Sequence, residues 1–402
     1  MLKINEKAKV AIYIGTLCSV SYLAVYFARH ILGAVTPQMT EVGGFTESYI
    51  GKLESAYLLC YAFGQLINGA IGDKIKAKYM ISAGLFLSGI TSFIFTCVSD
   101  IPLAATVVYG LTGFFLSMIY GPMTKVVAEN TEPLYATRCS LGYTFASFFG
   151  TPLAGVAATY LVWSNVFRLS GLVLTAMAIL CFVFFIRFER IGIVKYGQYK
   201  AEKSKKGSLK VLIKHQIIKF SLIAILTGIV RTTVMFWFPT YISQYLDIPH
   251  EKATMIFTVA SFIISSTAFI AIFIYERLKG NMNLTVLIMF SASTIFFTAV
   301  YFIKIPTINI VLMVLAIMSA SAAATMLYSR YCPSLRDTGM VSGVTGFLDF
   351  LSYTAASATS TFFANAISSI GWKNLILIWA SLMFTGIIVS LPYRAFSKKS
   401  EN

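Results

Sequence analysis

Runs of about 20 apolar residues follow one another from end to end of this chain, and that alone decides the solvent in which it folds. A bilayer core of roughly 30 Å is crossed by about 20 residues of α-helix. In hydrocarbon the backbone must satisfy its own hydrogen bonds, and helices do so within each segment. Breaks at charged residues, Pro and Gly give spans near 10–34, 48–71, 79–98, 101–128, 137–161 and 166–186, then near 217–243, 252–275, 283–303, 306–329, 338–367 and 374–393. The expected fold is an all-α integral membrane protein with twelve transmembrane helices and no room for a soluble domain. Composition agrees: 57% of the 402 residues are hydrophobic and 12% charged, far from the balance of a soluble domain.

The loops test the count independently, because Lys and Arg collect on the cytoplasmic side. Numbering the loops in turn puts 25 of the 32 basic residues on the side that holds both termini, against five on the other: Lys52, Arg168, Lys252, Lys304 and Lys373. Both termini are therefore expected in the cytoplasm, with the protein in the cell's inner (plasma) membrane. The net charge of +16 lies in short loops on one face and not in a folded patch, so it reads as topology and attraction to anionic lipid, not nucleic-acid binding. The three lysines ahead of the first span suggest a signal peptide, but the apolar run is too long and no small-x-small cleavage site follows. The six cysteines have no metal spacing and are expected to be reduced.

The longest polar segment, Arg187 to Gln216, divides the spans into six and six, giving halves at 1–186 and 217–402 joined by a basic linker at 187–216. Sequence 202 or 203 residues apart then corresponds. Arg29 precedes Pro37 by eight residues, as Arg231 precedes Pro239. "GDKIKAK" aligns with "YERLKGN", setting Asp73, Lys74 and Lys76 against Glu276, Arg277 and Lys279. "SLGYTF" aligns, more weakly, with "SGVTGF". One shared offset predicts two parallel six-helix pseudo-repeats, the plan of a rocker-type secondary transporter.

A guanidinium at the centre of a span costs on the order of 2.5–3.5 kcal/mol on insertion scales, and Arg29 and Arg231 sit there at matching places. A carboxylate or helix carbonyls neutralising each is the plain structural alternative. Arginine offers a planar fork that grips phosphate or carboxylate at two points and keeps its proton. A pair facing one another across a cavity is an anion clamp, and an empty clamp resists reorientation, as obligatory exchange requires. Asp349 reads as the one acidic residue near the middle of a span: a charge-balancing partner of an arginine or of His30, or a proton site. Tyr22 and Tyr26 precede Arg29 by seven and three residues on roughly the same face, where their hydroxyls reach an anion or merely pack. His30 either lines the cavity or couples protons. Trp237 reads as packing.

"GAIGDKIKAK" resembles the loop signature of the major facilitator superfamily, with Lys76 in place of its second glycine. "SYLAVYFARHILGAVTP" and "RTTVMFWFPTYISQYL" resemble the first and seventh helices of its organophosphate:phosphate antiporters, the carriers of glycerol 3-phosphate and hexose phosphates. "DTGMVSGVTGFLDFLSYTAAS" followed by "GWKN" is similar to that family's eleventh helix and the loop after it. The resemblance implies the major facilitator fold and makes Arg29 and Arg231 the phosphate-holding residues. Departures are Gln65 where such carriers tend to place a basic residue, Phe149 in place of a histidine, and Asp349 at a usually small or apolar position.

The expected function is thus a secondary active transporter moving a small phosphorylated organic anion in exchange for inorganic phosphate. Alternatives are a proton-coupled carrier of another small anion, such as a carboxylate, with Asp349 or His30 as relay, and a transporter-like sugar-phosphate sensor. No metal cluster, activated nucleophile or phosphate-cradling glycine loop points to an enzyme, and no cofactor is expected. The chain is expected to act as a monomer, with Asp73, Lys74, Glu276 and Arg277 biasing the cytoplasmic gate.

Overall fold

The structure, a computed structural model, describes residues 5–72, 75–196, 213, 215–335 and 341–391. These form helices α1 (Glu6–Glu41), α2 (Glu47–Gly72), α3 (Ala77–Val98), α4 (Pro102–Asn130), α5 (Pro133–Tyr160) and α6 (Trp163–Arg190). Then follow α7 (Ile217–Gln244), α8 (His250–Arg277), α9 (Met282–Phe302) and α10 (Pro306–Tyr331). The last helical stretch, Val341–Ser390, is broken at Gly371, whose φ of +77° and ψ of 167° only glycine adopts readily. It is therefore two helices, α11 (341–370) and α12 (372–390).

Nine helical stretches among the described residues are long and apolar enough to cross a membrane. That set counts α11 and α12 together and leaves out α2 and α5, which at 26 and 28 residues are long enough but more polar. The twelve expected crossings are all helical. Most run a few residues beyond the apolar runs, because the helices continue past the hydrocarbon. α1, at 36 residues, is about 54 Å long at 1.5 Å per residue. Its first turn carries Glu6, Lys7 and Lys9, and the Asn5 side chain caps it by accepting from Lys7 N at 3.3 Å.

Two helices depart from regular α geometry where composition gives no sign of it. α7 widens to a π turn over Ile229–Val234, and α10 does the same over Leu327–Tyr331. α8 is interrupted at Ser266, between His250–Ser265 and Thr267–Arg277.

Contacts sort the chain into two compact units that do not follow the mid-chain linker. The first comprises Met1–Lys203, Met235–Ser265 and Ala356–Ser368, and the second Ser204–Val234, Ser266–Ala355 and Ser369–Asn402. The switches at Val234/Met235 and Ser265/Ser266 coincide with the end of the π turn in α7 and the break in α8. Backbone irregularity falls where one helix serves two packing environments.

In the first unit α1 lies on α5 and α6, α2 on α4, and α3 against α4 and α6. Phe95, Tyr109 and Phe167 fill its centre, Phe95 lying 4.6 Å from Phe167 and 5.3 Å from Tyr109 between ring centroids. The later segments seat on this core by close approach of small residues, as membrane helices do. Gly33 of α1 meets Phe236 of α7. Ser55 of α2 and Ser357 of α11 donate to one another's carbonyls at 2.6 and 2.7 Å. Phe262 of α8 stands edge-on to Phe148 of α5 at 4.6 Å.

In the second unit α9 packs on α10, where the Ser293 hydroxyl donates to Ala316 O at 2.9 Å and the Asn309 amide donates to Val300 O and Ile303 O. Trp379 of α12 closes the other side of α9 against Phe297 at 6.0 Å. Gly228 admits α11 so closely that a Cβ there would lie 2.8 Å from Ser352 Cα.

Candidate functional site

The residues singled out in the first span converge. Tyr22, Tyr26 and His30 follow one another at four-residue spacing and so share a face of α1. Their rings form a ladder, with Tyr22 and Tyr26 at 5.0 Å edge to face and Tyr26 and His30 at 5.9 Å. The Arg29 guanidinium lies 5.9 Å from the Tyr26 ring and 4.9 Å from that of Tyr61 on α2, a cation–π arrangement that holds charge beside apolar surface. Tyr61 stacks in turn on Tyr57. At the other end of the ladder Tyr22 meets Tyr120 of α4 at 5.4 Å and Tyr143 of α5 at 6.1 Å. Four helices thus build one aromatic enclosure, in which Tyr22, Tyr26, Arg29 and His30 remain half-buried and reachable.

One participant has no counterpart in the sequence reading. Glu54 of α2 is 5% exposed and stands within the electrostatic reach of Arg29. Asp349 is therefore not alone as an acid inside a span, and a second carboxylate bears on the first arginine. It escaped notice because Glu47 and Lys52 precede it and the whole stretch reads as a loop margin. Tyr109 of α4 flanks Glu54.

A second cluster forms around Arg231, which the π turn of α7 carries. Its guanidinium lies 5.9 Å from the ring of Tyr328, itself in the π turn of α10. Asp349 and Tyr353 of α11, one helical turn apart, bear on the same tyrosine. Arg231 and Asp349 are half-buried. π turns recur at functional positions because the wide turn re-aims a side chain; here two of them present an arginine and a tyrosine to each other. Nothing in the composition around Arg231 or Tyr328 announces this. Trp237 is fully buried against Phe236, as packing requires.

Of the residues proposed for gating, Asp73 and Lys74 lie outside the described residues. Glu276 and Arg277 are exposed at the end of α8, with Arg277 over the Phe273 ring at 5.2 Å. The neighbouring lysines of the first basic loop are engaged: Lys76 pairs with Glu189 of α6 at 2.8 Å, and Lys78 pairs with the other oxygen of the same carboxylate. Glu189 was not singled out in the sequence because it sits among the basic residues of the linker. At the opposite end of the helices, Glu41 of α1 meets Ser243 of α7 and His250 of α8, the latter at 2.8 Å, and Glu47 of α2 accepts from the Gln244 amide at 2.6 Å. No group of His, Cys, Asp and Glu among the described residues could hold a metal ion.

Comparison with known proteins places this geometry in context. The model of the Major Facilitator Superfamily matches residues 18–357. The glycerol-3-phosphate transporter of Bacillus subtilis (strain 168) is 21% identical over 392 residues, covering 90% of this chain and 86% of its own. The membrane sensor protein UhpC of Escherichia coli (strain K12) is 20% identical over 412 residues, covering 92% and 89%. Among solved structures, the xylose transporter XylE of E. coli in a partially occluded inward-open conformation superposes with a TM-score of 0.72 at 12% identity, covering 94% of this chain and 97% of that one. A match over most of the spans, with the fold to go with it, shows that the chain belongs to the Major Facilitator Superfamily and is a multi-pass membrane transporter, not an enzyme.

Proposed function

We propose that this chain exchanges a small phosphorylated organic anion for inorganic phosphate by rocker-type alternating access, with Arg29 and Arg231 as its phosphate-binding residues. The observation that carries the reading is the equivalence of those two arginines, one in the first helix of each six-helix half (1–186 and 217–402). Each stands half-buried among aromatic rings. Such rings supply hydroxyl donors and a weakly polar wall, against which a guanidinium binds an oxyanion more strongly than in water. Tyr22, Tyr26 and His30 complete the first set, and Tyr328 and Asp349 the second. Relatives named as glycerol-3-phosphate and hexose phosphate transporters support the substrate class. The one-sided distribution of basic residues supports cytoplasmic termini in the plasma membrane.

Uptake of radiolabelled phosphate into proteoliposomes preloaded with phosphate tests this. Exchange in the intact protein that is lost in Arg29→Lys and Arg231→Lys supports it, because lysine keeps the charge but not the two-point fork. Absence of exchange in the intact protein rejects it.

The placement of Asp349 beside Tyr328 favours one second reading, a proton-coupled carrier of another small anion. Uptake that an uncoupler abolishes and phosphate does not inhibit would select it. Binding of a sugar phosphate without exchange would select a sensor, in line with the likeness to UhpC.

A further inference from the structure

Glu54 is enclosed on every side that the structure describes. Its Oε2 is buried and has no hydrogen-bond partner among the described residues, and the hydroxyl of Tyr109 nearby is in the same position. The groups packed against it are few. α1 brings Arg29, α4 brings Tyr109, and its own helix brings Tyr57 one turn on. Lys52 is exposed on another face. The segment of α11 seated on α2 at Gly51 and Ser55, residues 356–368, carries no titratable side chain.

A buried ionised carboxylate with an unpaired oxygen is costly unless a positive charge offsets it, and here Arg29 is that charge. An oxyanion on Arg29 removes the offset and sets a like charge beside the carboxylate, which then favours its neutral form. We propose that Glu54 is the proton-accepting group of the phosphate site, ionised while Arg29 is unoccupied and protonated when phosphate sits on Arg29. This rests on the phosphate reading of Arg29 given above and deepens it: substrate and proton enter the first half together. The step is Glu54–COO⁻ plus H⁺ giving Glu54–COOH, the proton coming from water or from the monoanion H₂PO₄⁻, which then remains as HPO₄²⁻. No redox change is involved.

Calorimetry of inorganic phosphate binding to the full-length protein in detergent, repeated in buffers of different ionisation enthalpy, counts the protons taken up. Phosphate's own titration contributes equally to the intact protein and to Glu54→Gln, so the difference belongs to Glu54. We expect up to one fewer proton taken up by Glu54→Gln, together with phosphate affinity that falls less steeply as pH rises. Equal uptake in the two proteins overturns the proposal. Absence of phosphate binding in the intact protein overturns the phosphate reading and this proposal with it. Should Glu54→Gln fold poorly, infrared difference spectra of the intact protein on adding phosphate give a second reading. A new protonated-carboxyl C=O band is expected, and its absence counts against Glu54.

Discussion

His250 Nδ1 stands 2.8 Å from Glu41 Oε2, and the other oxygen of Glu41 accepts from the Ser243 hydroxyl, so one carboxylate at the end of α1 ties down both the end of α7 and the start of α8. Beside it, Glu47 at the start of α2 accepts from Gln244 at 2.6 Å. The acceptors come from helices early in the chain and the donors from helices late in it. An alternating-access cycle that opens this end must part them.

Glu41→Gln removes a charge-assisted bond without changing shape. The pair is partly exposed, with side chains 36% and 23% accessible, and exposed pairs contribute about 0–1 kcal/mol. The expected effect is a shift of at most about fivefold in the equilibrium toward opening at this end, seen as faster labelling of a cysteine placed at Ser243, with phosphate affinity changed little. A loss of affinity beyond tenfold would assign Glu41 to binding and not to closure.

Gly51 gives a sterically stronger test of the same closure. A Cβ there would lie 2.5 Å from Ala364 Cβ and 3.1 Å from Ser360 O, so α2 and α11 approach only because the residue is glycine. Gly51→Leu is expected to hold the two helices apart. Exchange should fall at least tenfold, and a cysteine at Ala364 should label faster with a water-soluble maleimide than in the Gly51 background. Unchanged labelling would mean that the helices accommodate the side chain by shifting along each other.

Much of this architecture was readable in the sequence, for a physical reason. Hydrocarbon admits few spanning solutions, so apolar length, loop charge and a guanidinium in an apolar run each carry strong information. Arg29 and Arg231 stood out because nothing else explains their cost. Glu54 did not, since burial is decided by what packs on α2, and its own neighbours Lys52 and Glu47 look like the edge of a loop. Tyr61 and Tyr328 were two among 22 tyrosines, chosen only by tertiary geometry. His250, in "DIPHEK", read as a turn residue because its partner Glu41 is 209 positions away. The π turns were hidden for another reason: one residue more or less in a turn leaves composition and hydropathy untouched.

Tyr61 separates ring from hydroxyl in the first arginine site. Its ring lies 4.9 Å from the Arg29 guanidinium, and it is 4% exposed. A cation–π contact of this kind contributes about 0.5–2 kcal/mol depending on desolvation. Tyr61→Phe keeps the ring and should retain phosphate affinity within about threefold. Tyr61→Leu loses it and should weaken affinity by about 3- to 30-fold. If Tyr61→Phe is as impaired as Tyr61→Leu, the hydroxyl and not the ring is what matters to the anion.

The π turn that holds Arg231 invites a test by deletion. Such a turn accommodates one residue more than an α-helix needs, so removing Thr232 from the π turn over Ile229–Val234 should restore ordinary α hydrogen bonding. The helix on either side, Ile217–Gly228 and Met235–Gln244, would keep the faces it now packs. The shortened protein should therefore remain monodisperse on size exclusion and as thermally stable as the parent. What changes is the aim of Arg231 relative to Tyr328 and Asp349. A guanidinium that binds phosphate at two points depends on angle as well as distance, so phosphate exchange should fall by more than tenfold in a well-folded protein. Exchange that survives the deletion would show that Arg231 needs no widened turn, and the π geometry would then serve the bending of α7 at Val234 and Met235 instead.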